Sequence, residues 1–553
     1  MSKARIIEAS LLVLGVLLLC GLPMFAQDGS SPRITAQQAE RFAVSEPLRN
    51  LANLPPTITY GFHETEPPRW VNFHPGRGPQ NAVDPVEQSS TITPSFTIVP
   101  GLSVEGINNL CGCYPPDTEA AVGDTQIVEW VNLHIEVFDK ATGASLLGPI
   151  PGNQLFASLG GACAANNQGD PIVLFDHVNH RWLLSQFKIQ NPAYFCTAVS
   201  TSPDATGTYY LYAFSATDFN DYPKWGIWPT GYFATDNHFN NSGSAYIDAR
   251  LHAFNDVKMR AGDPSAEEIT ADLTGSDYSI LPADVDSPTP PPTGQVEFFI
   301  GSYDVDSSNN HLYLYSMDPN FAAGTAVVTG SGLADPITVP TYNPFAPSCN
   351  PVRGACVPEP GGNGLAPVSD RLMYRFAYWE DQPLANVLAT PPKPIPSQHW
   401  FVNHVAAASN NQAGVRWYEF TAPIKKVDTS KFSLFQSGTF APDSNYRWMA
   451  SMARDKVGNI AVGYSISSST LYPSINVAGR APLDPQGQLS GEITLTTGSG
   501  SETGSAHRWG DYSTMSLDPS DNCTMWYSQE YLTTTGTAPW QTRMNQIKFD
   551  TCK

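Results

Sequence analysis

The chain has 553 residues, with 30 Lys and Arg against 51 Asp and Glu, and a formal net charge of −21. Charged residues make up 15% of the chain, below the roughly 25% usual in soluble domains, while 41% of residues are hydrophobic and Gly and Pro number 43 and 48. This composition excludes long charged helices and disorder and leaves a large, turn-rich β protein. Binding to nucleic acid is disfavoured, because it needs clustered Lys and Arg.

The amino terminus has the features of a signal peptide. Lys3 and Arg5 precede an apolar run that ends at Cys20, and Ala26 supplies a small residue for cleavage. We therefore predict that residues 1–26 are a signal peptide and that the mature chain is exported, to the periplasm or the extracellular space. The apolar run is shorter than the roughly 20 residues that span a membrane, and we expect no transmembrane segment later in the chain.

Export favours disulfide bonds among the eight cysteines that remain after cleavage. We expect Cys349 to pair with Cys356, which would close a Pro-rich loop, and Cys523 to pair with Cys552, which would join the last hairpin to the C-terminus. The partners of the other four cysteines stay open, and these are Cys111, Cys113, Cys163 and Cys196.

The rest of the chain divides into an N-terminal segment and a repeat. Residues 27–105 are Pro-rich and polar without periodicity, which predicts an extended segment. In residues 106–553 a polar residue, often Asp, precedes a short apolar strand, a tight turn and an aromatic-rich strand. We count seven such units, or six if residues 278–318 are an excursion within a larger unit. Short antiparallel units that bury their faces against their neighbours are typical of β-propellers, so we predict an all-β fold, a single propeller of seven blades with six as the alternative.

Several of the repeated stretches resemble a known group of proteins. GDPIVLFDHVNHRWLLSQF, NDYPKWGIWPTGYF and RWGDYSTMSLDPSDNCTMWYSQEY are similar to secreted bacterial β-propeller proteins of mostly unassigned function. That group is distantly similar to the sialidase-like Asp-box (BNR) propellers. The resemblance covers about residues 110–552 and implies the fold without an activity. Altered Asp-boxes stand at Ser202–Tyr209 and from Ser516 to Trp526, where the resemblance implies structural turns.

Polar residues at equivalent positions of the repeat predict a ligand-binding face. Each precedes or begins the innermost strand of its unit, so we expect them to surround the central channel. They are Asp117, Asp170, Asp221, Asp370, Arg447 and Asp511. This geometry favours a binding or interaction module, with a protein or a glycan as its ligand.

The alternative function is a sialidase-like glycoside hydrolase that acts on an acidic sugar. Arginines that converge on one cavity bind a carboxylate bidentately, and glycosidic cleavage commonly uses a pair of carboxyl groups. The residues assigned to this alternative are Arg371, Arg416, Arg447 and Arg508 for the sugar carboxylate, with Asp170 and Asp511 as acids. The same arginines can instead stack on aromatic rings or pair with aspartates of the repeat, so we favour the module over the enzyme.

An oxygen-rich turn predicts a calcium site. Asp304, Asp306, Ser308 and Asn310 place oxygen ligands at alternate positions between two strands, as calcium prefers. The turn lacks the Gly at the sixth position and the bidentate Glu at the twelfth that an EF-hand has. A plain Asp/Asn turn is the competing interpretation.

A calcium titration with a thermal-unfolding readout tests this site. We expect excess calcium to raise the Tm, because an ion that binds only the folded state at 100 times its Kd adds about 2.7 kcal/mol. Chelation should reverse the rise, and the paired substitution Asp304→Asn with Asp306→Asn should remove it. An unchanged Tm in excess calcium, with no loss on chelation, would contradict the site.

Overall fold

The computed structural model describes residues 32–51, 83–189, 191–273, 278–302, 310–330, 336–344, 355–381, 397–409 and 411–553. It contains 54% strand and 5% helix, which confirms the predicted all-β class. The predicted signal peptide lies outside these residues, as do Asp304, Asp306 and Ser308 of the predicted calcium turn and Cys349. Within the described part of the chain, no helix is long and apolar enough to cross a membrane.

The first strands along the chain belong to the N-terminal segment. They are β1 (Arg33–Gln38), β2 (Arg41–Val44), β3 (Glu87–Gln88) and β4 (Ile98–Asn108). The helices are short, and they are α1 (Leu48–Leu51), α2 (Gly161–Ala165), α3 (Asp256–Ala261) and the 3-10 helices Gly152–Phe156 and Thr429–Lys431.

The remaining strands form antiparallel units, which we number 1 to 7 in chain order. Units 1 to 3 consist of β5 (Thr118–Val122), β6 (Gln126–Val131), β7 (His134–Asp139) and β8 (Ser145–Pro151); β9 (Ile172–Asp176), β10 (Arg181–Lys188), β11 (Ala193–Ser200) and β12 (Tyr209–Ala216); and β13 (Phe219–Trp228), β14 (Gly231–Phe239), β15 (Tyr246–Phe254) and β16 (Glu267–Asp272). Unit 4 consists of β17 (Leu281–Val285), β18 (Glu297–Ser302), β19 (His311–Asn320), β20 (Thr325–Thr329) and the short β21 (Pro336–Thr338).

The last three units follow the same order. Units 5 to 7 consist of β22 (Asn343–Pro344), β23 (Leu372–Glu380), β24 (Ser397–Ala407), β25 (Ala413–Pro423) and β26 (Ser433–Phe440); β27 (Tyr446–Arg454), β28 (Ile460–Ser468), β29 (Leu471–Arg480) and β30 (Ser490–Thr496); and β31 (Thr514–Leu517), β32 (Thr524–Leu532) and β33 (Trp540–Phe549), completed by β4. We call β5, β9, β13, β17, β23, β27 and β31 the inner strands.

The inner strands form a closed ring. Each inner strand contacts the inner strand of the next unit, and β31 of unit 7 contacts β5 of unit 1. The strands run side by side in the same direction: the hydroxyl of Thr514 donates to the carboxylate of Glu119, and that of Ser516 donates to the carbonyl of Ala120. Strands β17 and β23 pair directly as parallel neighbours. This arrangement is compatible with a β-propeller.

Burial explains which strand of a unit is innermost. Every residue of β9 and β13 is buried, whereas alternate residues of the outer strand β20 are exposed. Strands that are covered on both faces read as continuous apolar runs, and strands with one wet face alternate. Aromatic residues pack between units, where Trp225 lies edge-on to Phe195 of unit 2 with ring centres 5.9 Å apart and Trp228 lies edge-on to Tyr378 of unit 5.

The segment predicted as extended covers the outer edges of four units. Strand β1 pairs with β16, β2 with β12, β3 with β26 and β4 with β33. Covering an outer edge satisfies backbone groups that would otherwise remain unpaired. The predicted boundary between residues 105 and 106 falls inside β4, because this strand belongs to the sheet of unit 7.

The cysteines within the described residues are disulfide-bonded. Cys523 pairs with Cys552, as predicted from the sequence. The pairs left open by the sequence are Cys111–Cys113 and Cys163–Cys196, and the second joins α2 to β11. Cys356 is also disulfide-bonded.

Some of the recurring aspartates are turn residues at the far ends of the inner strands. Asp176 and Asp455 each accept hydrogen bonds from backbone N–H groups of the turn that follows. Asp204, in the altered Asp-box, accepts from the N–H and the hydroxyl of Thr206. Such Asx turns fix the hairpin geometry, which agrees with the structural role that the resemblance implies.

Candidate functional site

The starts of the inner strands meet at one end of the ring, which we call the N-terminal rim. Five units carry a non-glycine residue with a left-handed backbone at or just before this point. They are Asp117, Asp170, Tyr222, Ser279 and Met449, with φ between 43° and 53°. Each such residue costs about 1 to 3 kcal/mol, and residues of this kind concentrate at functional sites. The repetition of the same conformation around the ring therefore marks the N-terminal rim as the first place to look for a site.

Lys224 is the centre of a buried group of charges at the N-terminal rim. Its ammonium nitrogen lies 3.6 Å from the ring centre of Tyr222 and 3.9 Å from that of Tyr512, so two tyrosines from units 3 and 7 enclose it. The side chain is fully buried. Burial lowers the pKa of Lys224 to about 8, against the opposing effect of Asp170 and Asp117. The cation thus joins units 1, 2, 3 and 7.

Arg371 extends the same group of charges into units 4 and 5. Its guanidinium donates to both oxygens of Asp370 at 3.0 and 3.1 Å and to the hydroxyl of Tyr278 at 3.0 Å. The guanidinium also lies 4.4 Å from the ring centre of Tyr222, and Lys224 contacts the same ring. Tyr222 therefore separates the two cations and stabilises both through its ring.

Arg508 and Asp511 close the group on the side of units 1 and 7. Arg508 Nη2 donates to Asp511 Oδ1 at 2.7 Å, and the backbone N–H of Asp511 donates to Asp117 Oδ1 at 3.0 Å. Glu530 lies on the other side of this turn, since a Cβ added to Gly510 would be 3.1 Å from Glu530 Oε1. All four charged side chains in this part are buried.

Carboxyl groups outnumber cations in this group, which we call the rim cluster. Its acids are Asp117, Glu119, Asp170, Asp370, Asp511 and Glu530, and its cations are Lys224, Arg371 and Arg508. Asp117 Oδ2, Glu119 Oε1 and Glu530 Oε1 have no hydrogen-bond partner among the described residues. Desolvation raises the pKa of Asp117 and Glu530 well above the usual range and that of Glu119 to about 8. Glu119 is therefore largely protonated at neutral pH, and burial favours the protonated form of Asp117 and Glu530 as well.

A small cavity lies beside the rim cluster. Its volume is about 60 Å³, and its lining includes Tyr114, Glu502, His507 and Arg508. His507 Nδ1 is 3.2 Å from the carbonyl oxygen of Gly364, so Nδ1 carries the proton and donates to this oxygen. The cavity combines a cation, a phenol, a carboxylate and an imidazole within reach of one small ligand group.

The structure brings four of the six predicted channel residues together. Asp117, Asp170, Asp370 and Asp511 meet in the rim cluster. In unit 3, Tyr222 and Lys224 belong to the cluster, and they follow the buried Asp221 in the strand.

Arg447 does not face the channel. It pairs with Asp443 at 2.8 Å and with Glu492 at 2.9 Å, and Glu492 belongs to the outer strand β30. Its side chain therefore crosses one face of the unit 6 sheet from the inner to the outer strand. The left-handed backbone occurs at Met449, where the pairing of β27 is irregular between Trp448 and Ser451. The residue of unit 6 that lies at the N-terminal rim is therefore Met449, two positions after Arg447.

The four arginines assigned to an acidic sugar do not converge either. Arg371 and Arg508 belong to the rim cluster, and Arg447 lies on a sheet face. Arg416 is in β25 of unit 5. Its Nη1 donates to Asp84 Oδ1 of the N-terminal segment at 2.9 Å, and its Nη2 donates to the carbonyl of Pro340. Its role is to anchor the N-terminal segment.

Sequence reasoning predicted four of the six acids of the rim cluster but missed Glu119, Glu530, Lys224 and the tyrosines. A repeated dipeptide could have marked the tyrosines. Asp-Tyr occurs in units 3, 4 and 7, close to the start of the inner strand. Its tyrosines are Tyr222, Tyr278 and Tyr512, and all three contact a cation of the cluster. Glu119 and Glu530 stand inside apolar strands, and no motif marked them.

The predicted calcium ligands lie outside the described residues except for Asn310. Among the residues that the structure does describe, no group of three or more His, Cys, Asp or Glu is placed to hold a metal ion. The calcium site therefore stays a prediction from the sequence.

Comparisons with known proteins give only distant likenesses. No protein-family model matches the chain, and no curated protein is similar to it. An ulvan lyase from a new family of polysaccharide lyases, bound to a saccharide of GlcA and Rha3S, is 10% identical over 82% of this chain and 97% of the lyase, with a TM-score of 0.38. Cobalt-substituted apocarotenoid oxygenase from Synechocystis is 8% identical over 85% and 97%, with a TM-score of 0.33. A protein of unknown function from Dyadobacter fermentans is 11% identical over 82% and 99%, with a TM-score of 0.21. These low TM-scores carry no argument about function.

The protonation of Glu119 predicts a pH-dependent stability. Its folded pKa of about 8 lies above the unfolded value near 4.5, so its contribution is fully present below pH 4.5 and is lost as the pH rises through 8. By pH 7 this costs about 3 kcal/mol. We expect Glu119→Gln, which is uncharged at every pH, to be more stable than the wild type at pH 7 and equal to it near pH 4.5.

Denaturant unfolding at a series of pH values measures this difference. Glu46→Gln serves as the control, because Glu46 is exposed. Comparison with the wild type cancels the opposite contributions of His177 and His404, whose pKa burial lowers to about 3. Equal pH slopes for Glu119→Gln and the wild type would contradict the electrostatic description of the rim cluster.

Proposed function

We propose that this chain is an exported β-propeller of seven blades, preceded by a signal peptide, and that it acts as a binding module whose ligand docks at the N-terminal rim. The closed contacts between the inner strands support this proposal, in which each unit is one blade. The disulfide bonds support export, because they persist in oxidising compartments.

The observation that carries the binding function is the convergence of the rim cluster beside a cavity. Buried charges from units 1, 2, 3, 5 and 7 meet at one end of the ring, where Arg508 belongs both to the cluster and to the cavity wall. Buried titratable groups with shifted pKa values beside a concave surface are typical of functional sites. A ligand that hydrogen-bonds to His507 and Arg508 would reach this surface from solvent through the part of the loop that contains the exposed Ser505.

One observation favours glycoside hydrolysis as a second candidate. Two arginines and at least two acids, Asp117 and Asp511, belong to the rim cluster, which is the minimum that an acidic-sugar hydrolase needs. The cavity at Arg508, at about 60 Å³, is however much smaller than the roughly 150 Å³ that a benzene-sized ring fills. A sugar ring cannot enter it, so the binding module is the better-supported function, with only a protruding group of the ligand inside.

A glycan-array screen with parallel assays on fluorogenic glycosides tests both candidates. We expect binding without turnover for the wild type. Ser505→Trp places a bulky side chain at the cavity and should weaken the binding at least about tenfold, or about 1.4 kcal/mol.

Val457→Trp is the matched control, because Val457 is 44% exposed in the hairpin at the opposite end of unit 6 and should bind as the wild type does. Equal binding by Ser505→Trp would exclude the N-terminal rim as the site. Turnover that Asp511→Asn abolishes would replace the module with the hydrolase.

A further inference from the structure

A second cavity opens at the opposite end of the ring, where the inner strands finish. It has a volume of about 220 Å³ and lies between the ends of β9, β13 and β17 in units 2, 3 and 4. Strand β9 separates the two ends, with Asp170 at its start in the rim cluster and Asp176 at its finish in this cavity. The cavity therefore shares no lining residue with the one at Arg508 and does not depend on the function proposed for it.

The walls of this cavity are mainly apolar and held in place. Ile227, Trp228 and Val285 lie at its base and are at most 5% exposed. Trp228 is fixed because its indole N–H donates to the carbonyl of Gln295 and its ring lies edge-on to Tyr378. A preformed wall spares a ligand the cost of ordering the site.

Unusually exposed apolar side chains border the opening. Val178 is 43% exposed and Val257 64% exposed, and both line the cavity together with Pro290. Pro290 belongs to the Pro-rich stretch between β17 and β18, which thus acts as one wall rather than as a domain linker. The open mouth gives a ligand access from solvent without movement of the fold.

One corner of the cavity is polar and presents a hydrogen-bond donor. Arg260 uses Nε and Nη2 for Asp256, at 3.3 and 2.6 Å, and its Nη1 has no hydrogen-bond partner among the described residues. The oxygens of Asp176 already accept from the hydroxyl of Tyr232 and from N–H groups of its own turn. Nη1 of Arg260 is therefore a hydrogen-bond donor available to a ligand in this corner.

The charge around this corner selects against an anionic ligand. Two carboxylates, Asp176 and Asp256, stand against the single cation Arg260. A carboxylate ligand would meet both of them at short range and in partly desolvated surroundings, where like charges repel strongly. An uncharged oxygen acceptor gains the hydrogen bond to Nη1 without that repulsion.

We propose that this cavity binds an uncharged, single-ring molecule that carries a carbonyl oxygen. The ring packs between the exposed Val178, Val257 and Pro290, and the oxygen accepts from Arg260 Nη1. The volume of about 220 Å³ exceeds the roughly 150 Å³ that holds benzene, so one ring with a small substituent fits. We call this the C-terminal rim site.

Benzamide is the probe that matches this chemistry, and benzoate and benzylammonium are its charged analogues. Ligand-observed NMR titration of the mature protein should show saturable binding of benzamide, with benzoate about tenfold weaker or more. Arg260→Met keeps the apolar stem and should weaken benzamide binding about tenfold, since a hydrogen bond to a charged group contributes about 1.5 to 3 kcal/mol.

Two tryptophan substitutions separate this site from general adsorption. Val257→Trp fills the mouth and should abolish binding, and Val178→Trp does so from the other side if the first variant misfolds. Val327→Trp is the matched control, because Val327 is also 64% exposed but lies in the outer strand β20, and it should bind normally. The absence of saturable benzamide binding to the folded wild type would overturn the proposal. So would equal affinity in Val257→Trp, Val178→Trp and Val327→Trp.

Discussion

The pairing of β4 with β33 is the interaction on which the rest of the structure depends. It joins residues 98–108, which precede unit 1, to the last strand of unit 7, so that one sheet contains both ends of the described ring. Units of this kind bury their faces only against their neighbours, and an open row would leave two apolar faces in water. Closure covers both faces at once. It also brings β31 beside β5, which is the contact that places Asp511 against Asp117.

Closure also concentrates charge. The polar side chains at the starts of the inner strands meet where the protein shields them from solvent. Aromatic rings stabilise the charges of the rim cluster together with the ion pairs, and Lys224, for example, is enclosed by Tyr222 and Tyr512. Because three acidic side chains keep an unpartnered oxygen, the cluster favours protonated carboxyls and ties the stability of the ring to pH.

The two ends of the inner strands differ in chemistry for a physical reason. At the N-terminal rim the cavity is small and surrounded by charge, whereas at the ends of β9, β13 and β17 it is larger and mainly apolar. The starts of the strands converge on the ring axis, and the Pro-rich stretch with Pro290 adds a wall at the other end. The two ends of the ring therefore carry cavities of different size and polarity.

The sequence predicted the features that depend on local pattern. Apolar runs separated by turn residues indicated an all-β repeat, and the positions of Asp117, Asp170 and Asp511 before apolar runs indicated a common end. It could not predict contacts that join distant parts of the chain, such as Arg416 with Asp84. Arg447 was assigned to the channel because the sequence does not reveal the bulge in β27, where one extra residue reverses the face on which the side chains lie.

The N-terminal segment shows the same limit. Its polar, Pro-rich composition carries no strand periodicity, yet β1, β2 and β3 pair with the outer strands of units 3, 2 and 5. An edge strand forms where the outer strand of a sheet offers unpaired backbone groups. The composition of the segment itself therefore does not reveal where it will pair.

Disulfide trapping across β4 and β33 tests the closed ring most directly. Ser103 lies opposite Asn545, and their side chains are in hydrogen-bond contact at 2.7 Å. Oxidation of Ser103→Cys with Asn545→Cys should therefore give an intramolecular cross-link, detected by peptide mapping without reduction. Leu102→Cys with Asn545→Cys should give none, because a one-residue offset places the two side chains on opposite faces of the sheet. Equal cross-linking of both pairs, or of neither, would contradict closure of the ring by this pairing.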